Sequence, residues 1–173
     1  MATIDPIPLT EVSDAALLDR IRTGRGWIPN VFRTMLHSPT ATAGWVELAN
    51  SVRSSSLDLR TRELAILLVA HLKQSEYEWG HHEGVARANG VSDSELAALR
   101  AWPNSSSWQP RDRAVLSIVA AVASNRSIPE WSLTEIAEEG PRVAVDVAVT
   151  AAYYVAVAHF TAALDIPPDG HEP

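Results

Sequence analysis

Residues 75–82 carry the side-chain types and spacing that are best suited to chemistry in this sequence. At about 100° per residue in a helix, Ser75, Glu78 and His82 lie within about 60° of one face. Glu78 and His82 are four positions apart, so the carboxylate can hydrogen-bond the imidazole or hold it protonated. A histidine with carboxylate neighbours is suited to proton transfer. We therefore predict His82 and Glu78 as catalytic residues.

A second carboxylate, Glu63, stands in the middle of an apolar helical run, where its charge is costly without a partner. This helix precedes the one at 75–88 and is expected to pack antiparallel against it. Glu63 is therefore the third predicted catalytic residue. Two other roles stay open for it, which are an ion pair with Arg62 and a contact with another subunit.

Four further residues are predicted to line a substrate pocket, each with a structural alternative. Tyr77 and His81 share a neighbouring face of the same helix. Ser75 is also well placed to cap that helix, and His159, on the last apolar helix, could equally be a core histidine. His82 itself could be a structural partner of Glu78. No metal ion and no cofactor is predicted at any of these residues.

The elements that must position these residues all show helical patterns. Prolines at 39, 110 and 141 are typical of first helical positions. Ser92 with Glu95, and Ser132 with Glu135, match the capping box and predict two further helix starts. The segment with Trp27, Ile28 and Asn30 is predicted to be a loop. The patterns predict about seven helices and no strand, and therefore an all-α fold.

The composition fits one cysteine-free domain of 173 residues, with an N-terminal arm at 1–9 and a mobile tail at 167–173. The formal charge of −7 argues against nucleic acid as a partner. No run approaches the roughly 18 uninterrupted apolar residues of a membrane span, and the first residues do not resemble a signal peptide. A cytoplasmic protein without a membrane partner is expected.

The spacing of the site residues resembles the carboxymuconolactone decarboxylase family of the alkylhydroperoxidase D-like superfamily. That superfamily has a Cys-x-Tyr-Cys-x-x-x-His motif, with a Glu about twelve residues before the first Cys. Ser75 stands at the first Cys, Tyr77 at the Tyr, Glu78 at the second Cys, His82 at the His and Glu63 at the upstream Glu. Residues 28–39 and 154–164 are also similar to family segments, so the resemblance covers about residues 26–166.

The resemblance implies an alkylhydroperoxidase D-like helical domain that assembles as a homotrimer or homohexamer. Because both redox cysteines are absent, disulfide-linked peroxide reduction cannot operate here. What the resemblance leaves is a cofactor-free lyase or decarboxylase acting on a small organic acid, lactone or β-keto acid. Two alternatives stay open: a non-catalytic binding or assembly protein of the same fold, and an antioxidant accessory related to the peroxidases.

Overall fold

The computed structural model describes residues 4–170 and contains nine α-helices in that range. Capping residues and prolines mark many of the helix ends. The helices are α1 (Ala15–Arg22), α2 (Asn30–Met35), α3 (Pro39–Arg53), α4 (Leu59–Leu72), α5 (Glu76–Ala88), α6 (Asp93–Arg100), α7 (Pro110–Ala123), α8 (Glu130–Glu135) and α9 (Pro141–Ala163). Two 3₁₀ helices, Leu9–Glu11 and Ala137–Glu139, complete the regular structure. No strand occurs among residues 4–170, so the all-α prediction is confirmed. The predicted number of about seven helices was too low. α2 begins at Asn30, which was predicted to lie in a loop, and continues to Met35 through a stretch for which no helix was predicted.

Side-chain caps set the starts of the helices that matter most for the site. Asp58 accepts a hydrogen bond from the Thr61 amide at 2.9 Å and begins α4. Ser75 caps α5 through the Glu78 amide at 3.3 Å. The predicted capping box of Ser92 and Glu95 is confirmed at the start of α6, where each side chain bonds the other residue's amide. Each cap supplies a partner for an amide that the helix leaves unpaired.

The second predicted capping box, Ser132 with Glu135, was wrong. The N-cap of α8 is Pro129, three residues before the predicted N-cap, and Ser132 lies inside the helix. The Ser132 hydroxyl donates to the Pro129 carbonyl at 2.6 Å and is fully buried, so it is not available to cap a helix. The short helix also ends at Glu135, and a 3₁₀ turn then leads to Gly140, whose φ of +83° suits glycine.

The residues group into two compact units, of which the first contains the chain up to Ser54 and the chain from Phe160 onward. Its core includes Leu17 and Ile21 of α1, which are almost fully buried. Residues 167–170 of the predicted mobile tail belong to this unit, and Asp169 accepts a hydrogen bond from the Asn30 amide at 2.6 Å. Residues 1–3 of the predicted arm and 171–173 of the predicted tail lie outside the described residues.

The second unit, Ser55–His159, contains α4 as its central helix. Every residue of α4 from Thr61 to Ala70 is buried, and α5, α6 and α7 all pack against this helix. The apolar side chains of α4 account for much of the core, but the same burial takes Glu63 out of water. The assignment of the whole chain to a single domain stays a prediction.

Within the described residues, α9 is the one helix long and apolar enough to cross a membrane by length and composition. Its 18-residue window has a mean hydropathy of 1.6, and 39% of that window is buried inside the protein. Val147 and Ala151 of this helix are fully buried in the core of the second unit. The cytoplasmic location stays a prediction.

Candidate active site

The connection between α4 and α5 brings the predicted catalytic residues together. Only residues 73–75 separate the two helices, and the Ser75 amide donates to the Ala70 carbonyl at 2.9 Å. A second contact joins Glu63, early in α4, to His82 in α5. The end of α4 is thus bonded to the start of α5, and the beginning of α4 to a later part of α5. The two helices therefore run antiparallel, as the sequence predicts.

Glu63 is held from two sides although it lies deep in the protein. Only 2% of its side chain is exposed. One carboxylate oxygen, Oε2, is 2.7 Å from His82 Nδ1, and the other, Oε1, accepts from the Arg62 guanidinium at 3.4 Å. These partners provide the compensation that a carboxylate needs at such a position.

The ionisation of Glu63 follows from these two partners. Burial alone would raise the pKa of this carboxyl group. The hydrogen bond from His82, the positive charge that His82 can carry and the charge of Arg62 act in the opposite direction and lower the pKa below its ordinary 4.5. Glu63 is therefore a carboxylate at neutral pH.

His82 is neutral under the same conditions. Burial, the largest influence, lowers the pKa of the imidazole below its ordinary 6.5, although the hydrogen bond and negative charge of Glu63 raise it. The charges of His81 and Arg62 add to the lowering. A neutral imidazole beside a carboxylate carries its proton on the nitrogen that faces that carboxylate. We therefore assign the proton to Nδ1, which donates to Glu63, and a lone pair to Nε2.

Glu78 lies on the other side of the same imidazole. Its Oε2 is 3.7 Å from His82 Nε2, which is beyond hydrogen-bond distance, and 4% of its side chain is exposed. The predicted proximity of Glu78 and His82 is confirmed, but the direct hydrogen bond from the imidazole goes to Glu63. His82 thus has one nitrogen fixed by a carboxylate and one nitrogen with a lone pair beside a second carboxylate.

The other predicted site residues differ in their burial and in whether they contact His82. The His81 ring lies edge-on to the His82 ring at a centroid distance of 5.1 Å. Ser75 is buried and caps α5, so its hydroxyl has the structural role considered from the sequence. Tyr77 is half-buried on α5, whereas His159 is exposed on α9.

Two neighbours of the site were not singled out from the sequence. Arg62 forms an ion pair with Glu63. The sequence suggests this pair only as an alternative to a catalytic role for Glu63. Tyr154 comes from α9 and meets the His82 ring edge-on at a centroid distance of 5.2 Å and an interplanar angle of 88°. The separation of Tyr154 from α5 along the chain explains why no local pattern points to it.

Over residues 4–170, no group of three or more His, Asp or Glu side chains is arranged to hold a metal ion.

The fold defined by these helices is that of alkylhydroperoxidase D-like proteins. A peroxidase-related protein from Ralstonia eutropha with an alkylhydroperoxidase AhpD core superposes with a TM-score of 0.80 at 18% identity, covering 97% of this chain and 92% of that one. The debrominase Bmp8 in complex with 2,3,4-tribromopyrrole gives a TM-score of 0.79 at 16% identity, covering 96% and 91%. A peroxidase-related protein from a Silicibacter species gives 0.75 at 16%, covering 97% and 89%.

Residues 39–125 match the model of the carboxymuconolactone decarboxylase family, and the chain belongs to this family. The family assignment made from the motif spacing is thereby confirmed. No protein with a curated description matches the sequence significantly. Glu63, Glu78 and His82 fall inside the matched region, whereas Tyr154 lies outside it.

Proposed function

We propose that this chain is a cofactor-free enzyme of the lyase or decarboxylase type that acts on a small organic acid, lactone or β-keto acid. The observation that carries the proposal is the 2.7 Å contact between His82 Nδ1 and the buried carboxylate of Glu63, which leaves Nε2 unprotonated. The membership in the decarboxylase family supports it, as does the debrominase among the proteins of similar fold.

The proposed step is proton transfer between carbon and His82. Nε2 takes a proton from the carbon beside a carbonyl group, and the electron pair of the broken C–H bond forms the enolate. The imidazolium produced in this way lies 2.7 Å from Glu63, whose negative charge stabilises it. The proton then returns to a carbon of the enolate, which completes an isomerisation.

Carbon–carbon cleavage uses the same groups in a different order. When a β-keto carboxylate loses CO₂, the electron pair of the broken C–C bond forms the enolate. Nε2 of neutral His82 then takes a proton from a water molecule and gives it to the enolate carbon, and the remaining hydroxide ion combines with the released CO₂ as bicarbonate. In both reactions Glu63 fixes the orientation of the ring and Glu78 lies beside the nitrogen that exchanges the proton.

Proton exchange at carbon tests the proposal without knowledge of the natural substrate. A panel of small β-keto acids and unsaturated lactones is incubated in D₂O, and NMR follows both the loss of C–H signals beside the carbonyl and the release of CO₂. We expect at least one class to react, and His82→Ala to lower that rate by about 10²- to 10⁴-fold.

His37→Gln is the matched control, because this histidine is exposed and hydrogen-bonds the Asp5 carbonyl in the first unit, whereas His82 lies in the second. It should react at the wild-type rate. A folded His82→Ala protein with undiminished exchange would refute the mechanism. If no class in the panel reacts with the wild type, the proposed lyase function is wrong for these substrates.

One observation favours a second candidate, a non-catalytic assembly protein of the same fold. Glu63, Arg62 and His82 form a buried cluster of paired side chains, in which 2% of the Glu63 side chain and 11% of the His82 side chain are exposed. Such a cluster can also serve to fix the packing of α5 on α4. This candidate predicts that His82→Ala lowers stability or changes the assembly, while no reaction is found for the wild type.

The predicted homotrimer or homohexamer is part of the proposal. Apolar side chains lie exposed on α8 and α9, which is typical of surfaces buried by another subunit; they are Trp131, Leu133, Val145 and Val149. A groove of about 500 Å³ lies beside them, lined by Ile136 and Ala144 among others. Sedimentation equilibrium should give three or six times the monomer mass, and a monomer would contradict the proposal.

A further inference from the structure

Tyr154 is the aromatic residue of α9 that meets the candidate site. Its ring lies edge-on to the His82 imidazole at a centroid distance of 5.2 Å, and the ring of Tyr153 lies edge-on to the Tyr154 ring at 5.1 Å. Edge-to-face packing at such distances fixes the orientation of a ring. The position of the Tyr154 phenol is therefore set by the core of the second unit.

The hydroxyl group of Tyr154 has no hydrogen-bond partner among residues 4–170. Tyrosine hydroxyls that are removed from water usually have one. The ring is only partly covered, so the group is not sealed in the core. A donor without a protein partner, beside the base of the proposed reaction, is what a substrate oxygen would need.

The protonation state of this hydroxyl suits a donor. Burial raises the pKa of Tyr154 well above its ordinary 10, and the electrostatic interactions with Glu78, Tyr153 and Glu63 raise it further. The phenol therefore keeps its proton throughout the neutral range. The charge of Arg62 acts in the opposite direction on this pKa but does not outweigh these effects, and Arg62 is paired with Glu63.

We propose that Tyr154 donates the hydrogen bond that binds the carbonyl oxygen of the substrate as this oxygen becomes that of the enolate. The inference rests on the function proposed above. When Nε2 of His82 takes the proton from carbon, the electron pair moves into the new C=C bond and the carbonyl π electrons move to oxygen. The oxygen accepts a hydrogen bond from Tyr154, which keeps its proton, and no other reactant is needed.

A preorganised donor of this kind acts on the transition state more than on the bound substrate, because the oxygen gains its charge only during the reaction. The site contains two carboxylates, Glu63 and Glu78, which disfavour a developing negative charge. A neutral donor directed at the oxygen offsets this effect without adding a charge that would itself need a partner.

Tyr154→Phe tests the inference, because it removes the hydroxyl and keeps the ring against His82. With the substrate found in the exchange assay, we expect kcat to fall by about 10²- to 10³-fold. The KM should change by less than about threefold, since the hydrogen bond strengthens only as the enolate forms. The acid limb of the pH profile, which reports His82, should be retained. Tyr153→Phe, which also removes one hydroxyl and keeps the ring, should retain wild-type kcat.

A binding measurement separates this inference from the proposed function. The probe is p-nitrophenolate, a stable aromatic oxyanion, whose absorbance is followed at a pH where it is ionised. We expect the wild type and the folded His82→Ala protein to bind it, and Tyr154→Phe to bind at least about tenfold more weakly.

Each outcome assigns the failure to one of the two proposals. Catalysis by the wild type with undiminished kcat in Tyr154→Phe refutes the role of Tyr154 alone. Loss through KM only, or equal probe binding by Tyr154→Phe and wild type, also overturns it. Probe binding that depends on Tyr154 in a protein without exchange activity supports the oxyanion site and refutes the lyase function. Absence of both binding and exchange refutes both.

Discussion

Two charged clusters start from neighbouring turns of α4 and differ in almost every physical respect. Arg60 bonds both oxygens of Asp112, at 3.1 and 2.8 Å, and also the Glu95 carboxylate. We call Arg60, Glu95 and Asp112 the clamp. Glu63, one turn further along, bonds His82 and Arg62 and forms the buried cluster. The Arg60 side chain is 29% exposed, against 2% for Glu63.

The two clusters differ in whether their charged groups can gain or lose a proton near neutral pH. The clamp joins the first turns of α4, α6 and α7 through an arginine that is charged at any accessible pH. The buried cluster pairs a carboxylate with a histidine that burial keeps neutral. The clamp can thus hold helices together but cannot exchange protons near neutral pH, whereas the buried cluster can.

The largest expected contrast is in stability when one partner is removed. Glu63→Ala leaves the His82 N–H buried without its acceptor and removes the carboxylate that bonds the Arg62 guanidinium, and should lower the free energy of unfolding by about 3 kcal/mol or more. Arg60→Ala leaves carboxylates that reach water more easily, and should cost about 1 to 2 kcal/mol. Urea unfolding at neutral pH measures both. Equal losses would contradict the distinction between the two clusters.

The pH dependence of stability separates the clusters by sign and window. The unfolded chain binds a proton at His82 near pH 6.5, but the folded protein does so only at lower pH. The unfolded state then holds more protons, so stability falls as the pH drops below 6.5, by up to about 1.4 kcal/mol per unit. Urea unfolding at a series of pH values should show this slope in the wild type and in His37→Gln but not in His82→Asn.

The clamp responds only in a more acidic range. Burial alone would raise the pKa of Glu95, but hydrogen bonds from Ser92 and Arg60 lower it below 4.5. Its contribution to stability is present above pH 4.5 and is lost as the pH falls through the folded pKa. A wild-type protein whose stability is flat between pH 6.5 and 5 would show that His82 is not held neutral.

The smallest expected effect is that of salt. Raising the ionic strength from about 0.1 to 1 M shortens the Debye length from about 10 to 3 Å and screens charges near water. The cost of Arg60→Ala should then shrink by about 0.5 kcal/mol, while that of Glu63→Ala stays the same. Unfolding curves of the two variants at both ionic strengths measure this. A larger salt effect on Glu63→Ala would place that cluster nearer to water than the structure does.

Local patterns in the sequence account for much of the fold and for the centre of the site. The cap at Ser92 and the proline starts of α3, α7 and α9 depend on neighbouring residues, so the sequence alone predicts them. The meeting of Glu63 and His82 was predictable because a short turn between two helices leaves little choice of packing.

What the sequence did not predict depends on distant contacts or on competing local bonds. The Arg60–Asp112 pair joins residues 52 positions apart, and no periodicity within α4 points to α7. Tyr154 reaches His82 from α9 for the same kind of reason. The start of α8 was misplaced because Ser132 satisfies the Pro129 carbonyl instead of capping a helix. A capping-box pattern alone does not show which of these bonds will form.

The short turn between α4 and α5 restricts which insertions and deletions the protein can tolerate. Gln74 adopts a left-handed φ of +54° there, and the Ser75 amide closes the turn onto Ala70. One added residue would rotate α5 by about 100° about its axis and direct His82 away from Glu63. Insertions and deletions in this turn should therefore abolish the Glu63–His82 pair even when every residue of that pair is retained.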